Sequence, residues 1–261
     1  MPAPWNGYIW KAVMLRSFRV DLHIHTCLSP CGDLEMSPRA IVEAAGNRGL
    51  DIIAICDHNS AENVAATVRA ASGQPLTVLA GMEITSQEEA HLIALFDETD
   101  RVLELQKIVY AHLPKETGIE INIGDQIVVN ELDEVEGFNT KLLIGATALS
   151  LHKVVKTVHR LGGLVIASHI DRESFSIIGQ LGFIPEDLEL DAVEISAATP
   201  LEEAETDFSL YGDFPMVTSS DAHFVDDIGK RCTEFLLSEA TTEEIKKALL
   251  NVDGRKVLPS E

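Results

Sequence analysis

The sequence predicts an α/β protein built as a (β/α) barrel, and three observations predict it. Apolar runs of strand length alternate with helical patterns almost from end to end, the order expected of βα units. Several of those runs are apolar on both faces, as in a parallel sheet covered by helices. The polar residues that interrupt the pattern are His23/His25, Asp57/His58, Glu83, His169 and Asp221/His223, and each set stands at the end of a different strand. A doubly wound sheet accounts for the alternation as well as a barrel does. Only a barrel brings many strand ends to one mouth.

Phe18 to Ile24 reads as the first strand. Ser37-Pro38 is an N-cap followed by proline at the first helical position, opening a helix over Arg39 to Arg48 that Gly49 stops. Asp51 to Cys56 is a strand and the alanine-rich Ala61 to Ala71 a helix. Leu76 to Ala80 and His91 to Phe96 are strands, followed by a helix over Arg101 to His112. Leu149 to Leu161 is helical, ended by Gly162-Gly163, and Leu164 to Ser168 is a buried strand. Leu190 to Ile195, Pro215 to Ser219 and Thr233 to Leu237 are further strands, and Thr242 to Leu250 is a last helix. Pro114 to Lys141 is acidic and less periodic. The expected organisation is a leader over 1–16 and one barrel domain over 17–261, with a surface excursion or lid at about 114–148.

At 261 residues the chain can bury a substantial core. No apolar run approaches the roughly 20 residues that span a bilayer, and the N-terminus lacks a signal-peptide pattern. Cys27, Cys31, Cys56 and Cys232 are too few for a disulfide scaffold, so they are read as reduced and the protein as cytoplasmic. The net charge of −22 disfavours a nucleic-acid polymer or an anionic membrane as partner, because non-specific DNA binding depends on Lys and Arg neutralising phosphates.

His23-Ile24-His25 places two imidazoles on one face of an extended strand, half of a tetrahedral metal site. Asp221-Ala222-His223 ends another apolar run with a similar pair. Between them stand Asp57-His58, Glu83, His91 and His169. A single histidine at a strand end is usually a hydrogen-bonded structural residue. The recurrence at strand after strand is what points to metal-dependent hydrolysis. His112, His152 and His159 lie in helical segments and are read as surface or core, and Cys27-x-x-x-Cys31 has no second cysteine pair with which to build a structural zinc site.

In order and spacing, five motifs closely resemble the polymerase-and-histidinol-phosphatase (PHP) superfamily over about residues 18–237. They are Asp21-Leu22-His23-Ile24-His25, Asp57-His58-Asn59, Gly81-Met82-Glu83 with His91, Ser168-His169, and Asp221-Ala222-His223. The resemblance implies a distorted seven-stranded TIM-like barrel, two or three divalent metals and hydrolysis of phosphate esters. It implies that His23, His25, Glu83 and Asp221 hold one metal, and that Glu83 bridges to a second held by His91 and His169. His58 and His223 hold a third with an acidic residue from the loop after His25. Counting back from Ser37-Pro38, Asp33 falls at that position, with Cys31 competing and Glu35 behind it. Six imidazoles and three carboxylates around three divalent ions leave about +3, a host for a phosphate dianion. Mixed N/O ligation suits zinc, manganese or iron without choosing among them.

The expected reaction is attack of a metal-bridging hydroxide on a small phosphomonoester, a nucleotide or a sugar or alcohol phosphate, with Glu83, Asp221, Asp57 and Arg172 as catalytic residues. Asp57 is expected to orient a ligating histidine, or to protonate the leaving group. Arg172, Lys230 and Arg231 are candidates for phosphate capture, against ion pairing with nearby acids. Two other classes are kept open: a metal amidohydrolase acting on C–N bonds, against which no lysine stands at a strand end before His169, and a non-catalytic metal-binding regulator.

Overall fold

The structure, a computed structural model, describes residues 14–115 and 124–259. Its first strand, β1 (Arg16–Ile24), decides how the chemistry is aimed. Phe18, Val20 and Leu22 face the interior of a curled sheet, and strict alternation would turn His23 outward. The pairing of β1 with β2 (Ile52–Ile55) instead slips by one residue between Asp21 and Ile24. That bulge reverses the phase: His23 and His25 become fully buried inside, and Ile24 joins the apolar layer beneath the helices. β1 thus starts at the last residue of the expected leader, and residues 1–13 lie outside the described residues.

The remaining large-sheet strands are β3 (Thr77–Thr85), β4 (His91–Phe96), β7 (Leu164–Ala167), β8 (Ala192–Ile195), β9 (Met216–Thr218), β10 (Thr233–Leu237) and β11 (Lys256–Val257). With β1 and β2 they form a nine-stranded sheet in the order β11-β10-β1-β2-β3-β4-β7-β8-β9. The sheet curls until the segment past β9 meets β1 through a parallel bridge between Ile24 and Ala222. The wall is an α/β barrel-like sheet, but not the expected all-parallel one. β3 and β4 are joined by Ser86–Ala90 alone, too short for a crossover helix, so β4 runs antiparallel to β3 and to β7. Reversal of β4 brings its amino end, carrying His91, to the same mouth as the carboxyl ends of its neighbours.

Alternate residues line the inside: Leu79 on β3, Ile93 and Leu95 on β4, Leu164 and Ile166 on β7, Ala192 on β8, Val217 on β9. Gly81 is the inward residue between Leu79 and Glu83. A Cβ there would lie 2.6 Å from Cys56 Sγ and 2.7 Å from the Ile55 carbonyl, so the strands close tightly just below the polar layer. The far end is plugged by α7 (Thr242–Leu249), whose Ile245, Ala248 and Leu249 join Phe18, Phe235 and Leu237.

Outside pack α1 (Pro38–Asn47), α2 (Val64–Ala70), α3 (Thr99–His112) and α4 (Leu151–Arg160), with the short α5 (Ile177–Leu181) and α6 (Leu201–Asp207). Ser37 caps α1 with Pro38 at the first position, as its sequence predicts, and Ser150 caps α4. In the excursion, residues 116–123 lie outside the described residues. Its β5 (Ile127–Val129) and β6 (Val135–Phe138) form a separate two-stranded sheet. The returning chain is pinned at the mouth, where Asn59 Nδ2 donates to the carbonyls of Leu143 (2.7 Å) and Gly145 (2.9 Å). Among the described residues no helix is long and apolar enough to cross a membrane.

Candidate metal centre

Glu83 stands on the inward phase of β3, one layer above Gly81, and is 1% exposed. Five imidazoles approach its carboxylate. His58 Nδ1 lies 2.9 Å from Oε2, His91 Nδ1 2.9 Å from Oε1, His23 Nε2 and His169 Nε2 each 3.4 Å from Oε1, and His25 Nε2 3.6 Å from Oε2. His23 Nε2 and His25 Nε2 are 3.1 Å apart, and Asp221 Oδ1 lies 3.3 and 3.2 Å from them. Burial alone would raise the Glu83 carboxyl. His91, His23 and His58 hold it well below the usual range, and His23 and His25 do the same for Asp221.

Proximity here is not hydrogen bonding. Glu83 Oε1, His58 Nδ1 and His91 Nδ1 are buried and have no hydrogen-bond partner among the described residues. Leaving such groups unpaired costs about 1–3 kcal/mol each, and convergence on a cation is the arrangement that repays it. Three sets of donor atoms lie close enough to share an ion: His23–His25–Asp221, His58–Glu83–His91, and His25–His58–His223. Imidazole and carboxylate together suit zinc, manganese or iron.

The opposite ring nitrogens are engaged in ways that fix the tautomers. His23 Nδ1 lies 3.0 Å from Glu194 Oε2, an oxygen that also accepts the His169 backbone N–H. His25 Nδ1 donates to Ser29 Oγ at 2.9 Å, and Ser29 in turn donates to Asp57 Oδ1 at 2.7 Å. His223 Nδ1 donates to the Asp221 carbonyl at 2.8 Å. In each case Nε2 keeps its lone pair for the centre. Four residues at the mouth adopt left-handed backbone: His169 (φ 31°), Asn59 (φ 49°), Asp221 (φ 49°) and Phe175 (φ 58°). Such conformations cost about 1–3 kcal/mol each and recur where strand ends turn functional groups inward.

Beside the cluster opens a cavity of about 440 Å³, lined by His58, His91, His169 and His223 and also by Cys31, Arg172, Phe175 and Ile144. Arg172 Nη1 meets Asp221 Oδ2 at 2.7 Å, Phe175 stacks on His91 at 4.9 Å, and Ile144 comes from the excursion. Cys31 Sγ lies 3.1 Å from His223 Nε2. Burial opposes ionisation of this thiol, but its contacts with His223 and His58 outweigh that and bring it down to about 7.

Four expected site residues belong neither to the cluster nor to the cavity lining. Asp33 folds back on its own turn, Oδ1 accepting the Glu35 N–H at 2.8 Å. Asp57 is fully buried and spends its oxygens on Thr26 (2.7 and 2.8 Å) and Ser29, so it reaches His25 through Ser29 and lines none of the cavity. Lys230 pairs with Asp227 at 2.6 Å, and Arg231 reaches the Ala197 carbonyl at 3.4 Å. The 3₁₀ turn Val225–Asp227 carries both away from His223. Conversely, the sequence reading passed over Glu194, although a lone acid inside the apolar run Ala192-Val193-Glu194-Ile195 was its signal.

A family model described as PHP domain matches residues 21–217, and one described as PHP-associated matches residues 212–252. An uncharacterised protein of Methanocaldococcus jannaschii is 28% identical over 159 residues, covering 53% of this chain and 92% of its own. A lesion-specific endonuclease of Pyrococcus furiosus superposes with a TM-score of 0.72 at 19% identity, over 93% of this chain but only 58% of the endonuclease. A structure described as a putative metal-dependent phosphoesterase, from Bifidobacterium adolescentis, superposes with a TM-score of 0.53 at 20% identity, over 89% and 96% of the two chains.

Proposed function

The chain belongs to the PHP-domain family, and from that membership we propose that it is a metal-dependent phosphoesterase acting on small phosphomonoesters such as nucleotides and sugar or alcohol phosphates. The observation that carries the reading is the buried Glu83 carboxylate, approached by five imidazoles yet without a hydrogen-bond partner at Oε1 among the described residues. In this reading His23, His25, Glu83 and Asp221 hold one ion, Glu83, His91 and His169 a second, and His58 and His223 a third. The wall is a distorted seven-stranded barrel of β1 to β4 and β7 to β9, with β10 and β11 as an extension of it.

Bound divalent ions supply a water ionised near neutral pH and neutralise phosphoryl charge. The protein's own share is positional. Glu194 and the Asp57–Ser29 relay keep His23 and His25 as lone-pair donors. Arg172, at the cavity wall, meets the phosphate oxygens, where a guanidinium binds in two-pronged fashion. Phe175 and Ile144 make an apolar flank for the organic part of the ester, and the excursion that supplies Ile144 acts as a lid. A cavity of about 440 Å³ sits within the roughly 300–1,000 Å³ usual for small-molecule sites. The four free cysteines fit the reducing cytoplasm.

Hydrolysis of a phosphodiester in damaged DNA is the second reading, favoured by the likeness to the Pyrococcus furiosus endonuclease. The charge of −22 weighs against it. Against the amidohydrolase alternative, no lysine among the described residues lines the cavity. Purified protein loaded with manganese or zinc is assayed on nucleoside monophosphates and sugar phosphates, on a lesion-bearing DNA duplex, and on cyclic amides. Turnover of the monoesters, lost on chelation, is expected. Cleavage of duplex without monoester turnover, or of amides alone, overturns the proposal.

A further inference from the structure

We infer that Cys31 supplies the protein ligand that completes the cation site of His58 and His223, so that this centre carries a thiolate where an acidic residue was expected. This rests on the reading of the mouth as a metal centre and deepens it.

The loop after β1 is built to present residue 31 and to withhold residue 33. Gly32 N–H bonds the Ser29 carbonyl at 2.8 Å, and a Cβ at Gly32 would fall 2.6 Å from the Thr26 carbonyl, so the chain turns hard there. Just before that turn, Cys31 enters the cavity wall. Just after it, Asp33 donates its backbone N–H to the His223 carbonyl at 2.8 Å, while its carboxylate caps the Glu35 N–H. The acid is therefore spent on the loop itself. Glu35 is exposed and lines none of the cavity.

The thiol does not stand alone. Donor atoms of His25, His58 and His223 lie within 4.8 Å of one another. His223 Nδ1 is committed to the Asp221 carbonyl, which leaves Nε2 facing Sγ at 3.1 Å. His58 is 6% exposed; its Nδ1 faces Glu83 Oε2 at 2.9 Å, and its ring stands 6.3 Å from that of His223. Two nitrogens and one sulfur are the donors of borderline and soft cations, so this position selects zinc or iron over magnesium and manganese. The sites around Glu83, with oxygen and nitrogen donors only, do not discriminate in that way.

Cobalt(II) loaded into metal-stripped full-length protein is the test. A cobalt–thiolate bond gives a near-ultraviolet charge-transfer band, whereas nitrogen and oxygen sites give only visible ligand-field bands. Wild type and Asp33→Ala are expected to show both features. Cys31→Ser is expected to lose the near-ultraviolet band and to bind one ion fewer per chain, and Cys31→Asp to regain the ion without the band. If wild type binds cobalt with visible bands alone, or if Cys31→Ser keeps the charge-transfer band, the thiolate assignment falls while the metal centre stands. If wild type binds no cobalt, both fall.

Discussion

Two buried glutamates, one at each end of the curled sheet, meet opposite fates. Glu244, in the first turn of the plug helix, is 6% exposed and fully answered by the chain. Ser238 donates its N–H (2.9 Å) and Oγ–H (2.6 Å), and Arg255 reaches one oxygen through Nε (2.9 Å) and the other through Nη2 (3.1 Å). Glu83, at the mouth, is buried more deeply and surrounded by more nitrogen atoms, yet its Oε1 has no hydrogen-bond partner among the described residues. One carboxylate is finished by folding, and the other waits for something folding does not supply. The number of polar neighbours does not separate a structural acid from a functional one; the geometry left unsatisfied does.

The largest effect that can break this comparison comes from neutralising each acid in turn. Glu83→Gln should lower metal-dependent phosphoester turnover about a thousandfold, roughly 4 kcal/mol of transition-state stabilisation. The melting temperature of the metal-free protein should move little, because Oε1 has no hydrogen-bond partner to lose among the described residues, and the imidazoles that favour the ionised carboxylate crowd one another. Glu244→Gln should do the reverse, costing about 2 kcal/mol of stability, or about 4–8 °C of melting temperature, with kcat held within twofold. Calorimetry in chelator alongside a phosphatase assay reads both. A Glu83 variant that melts far below wild type in chelator would make that acid structural after all.

The next effect concerns the residues that hold the ligands. Glu194→Gln keeps the shape but replaces a charged acceptor at His23 Nδ1 with a neutral amide, and it weakens the hold on the His169 N–H. Metal affinity should fall about 10–100-fold, measured by competition with a coloured chelator. The clustered histidines and acids were legible in the sequence, because such residues at the ends of apolar runs are rare enough to stand out. Glu194 was missed although it carries the same kind of signal, an acid inside an otherwise apolar strand. The bulge at Asp21–Ile24 had no such mark: with neither glycine nor proline there, only the pairing with β2 reveals that His23 faces inward. The reversal of β4 was hidden for a different reason. Its evidence is the shortness of Ser86–Ala90, which excludes a helix but does not say where His91 ends up. Asp33 shows the limit of counting, since the turn at Gly32 leaves its carboxylate on the Glu35 N–H and places Cys31, two residues earlier, at the cavity.

A pH titration sharpens the contrast further. Burial would raise the Glu244 carboxyl, but the hydrogen bonds from Arg255 and Ser238 bring it from 4.5 down to about 2. A depressed folded value means that the stabilisation is fully present above pH about 4.5 and is lost as pH falls toward about 2. The stability gap between wild type and Glu244→Gln, measured by urea unfolding, should therefore be flat from pH 8 to 5 and shrink steadily below 4.5. A gap unchanged at pH 3 would show that the ion pair with Arg255 is not its source.

The smallest effect is expected where sequence position and spatial position part company. Lys230 follows His223 closely in the chain, yet its side chain is 57% exposed and its ammonium pairs with Asp227 at 2.6 Å. Arg172 is also half-exposed, but it lines the cavity and touches Asp221 at 2.7 Å. Exposed pairs such as Lys230–Asp227 contribute about 0–1 kcal/mol. Lys230→Ala should thus leave kcat/KM within about twofold and the melting temperature nearly unmoved. Arg172→Ala should raise KM for the phosphoester about tenfold or more, since charge-assisted bonds to phosphate are worth roughly 1.5–3 kcal/mol. Equal losses in the two variants would mean that phosphate is drawn in by the general field of nearby cations, and that the pairing of Arg172 with Asp221 has no special part in its capture.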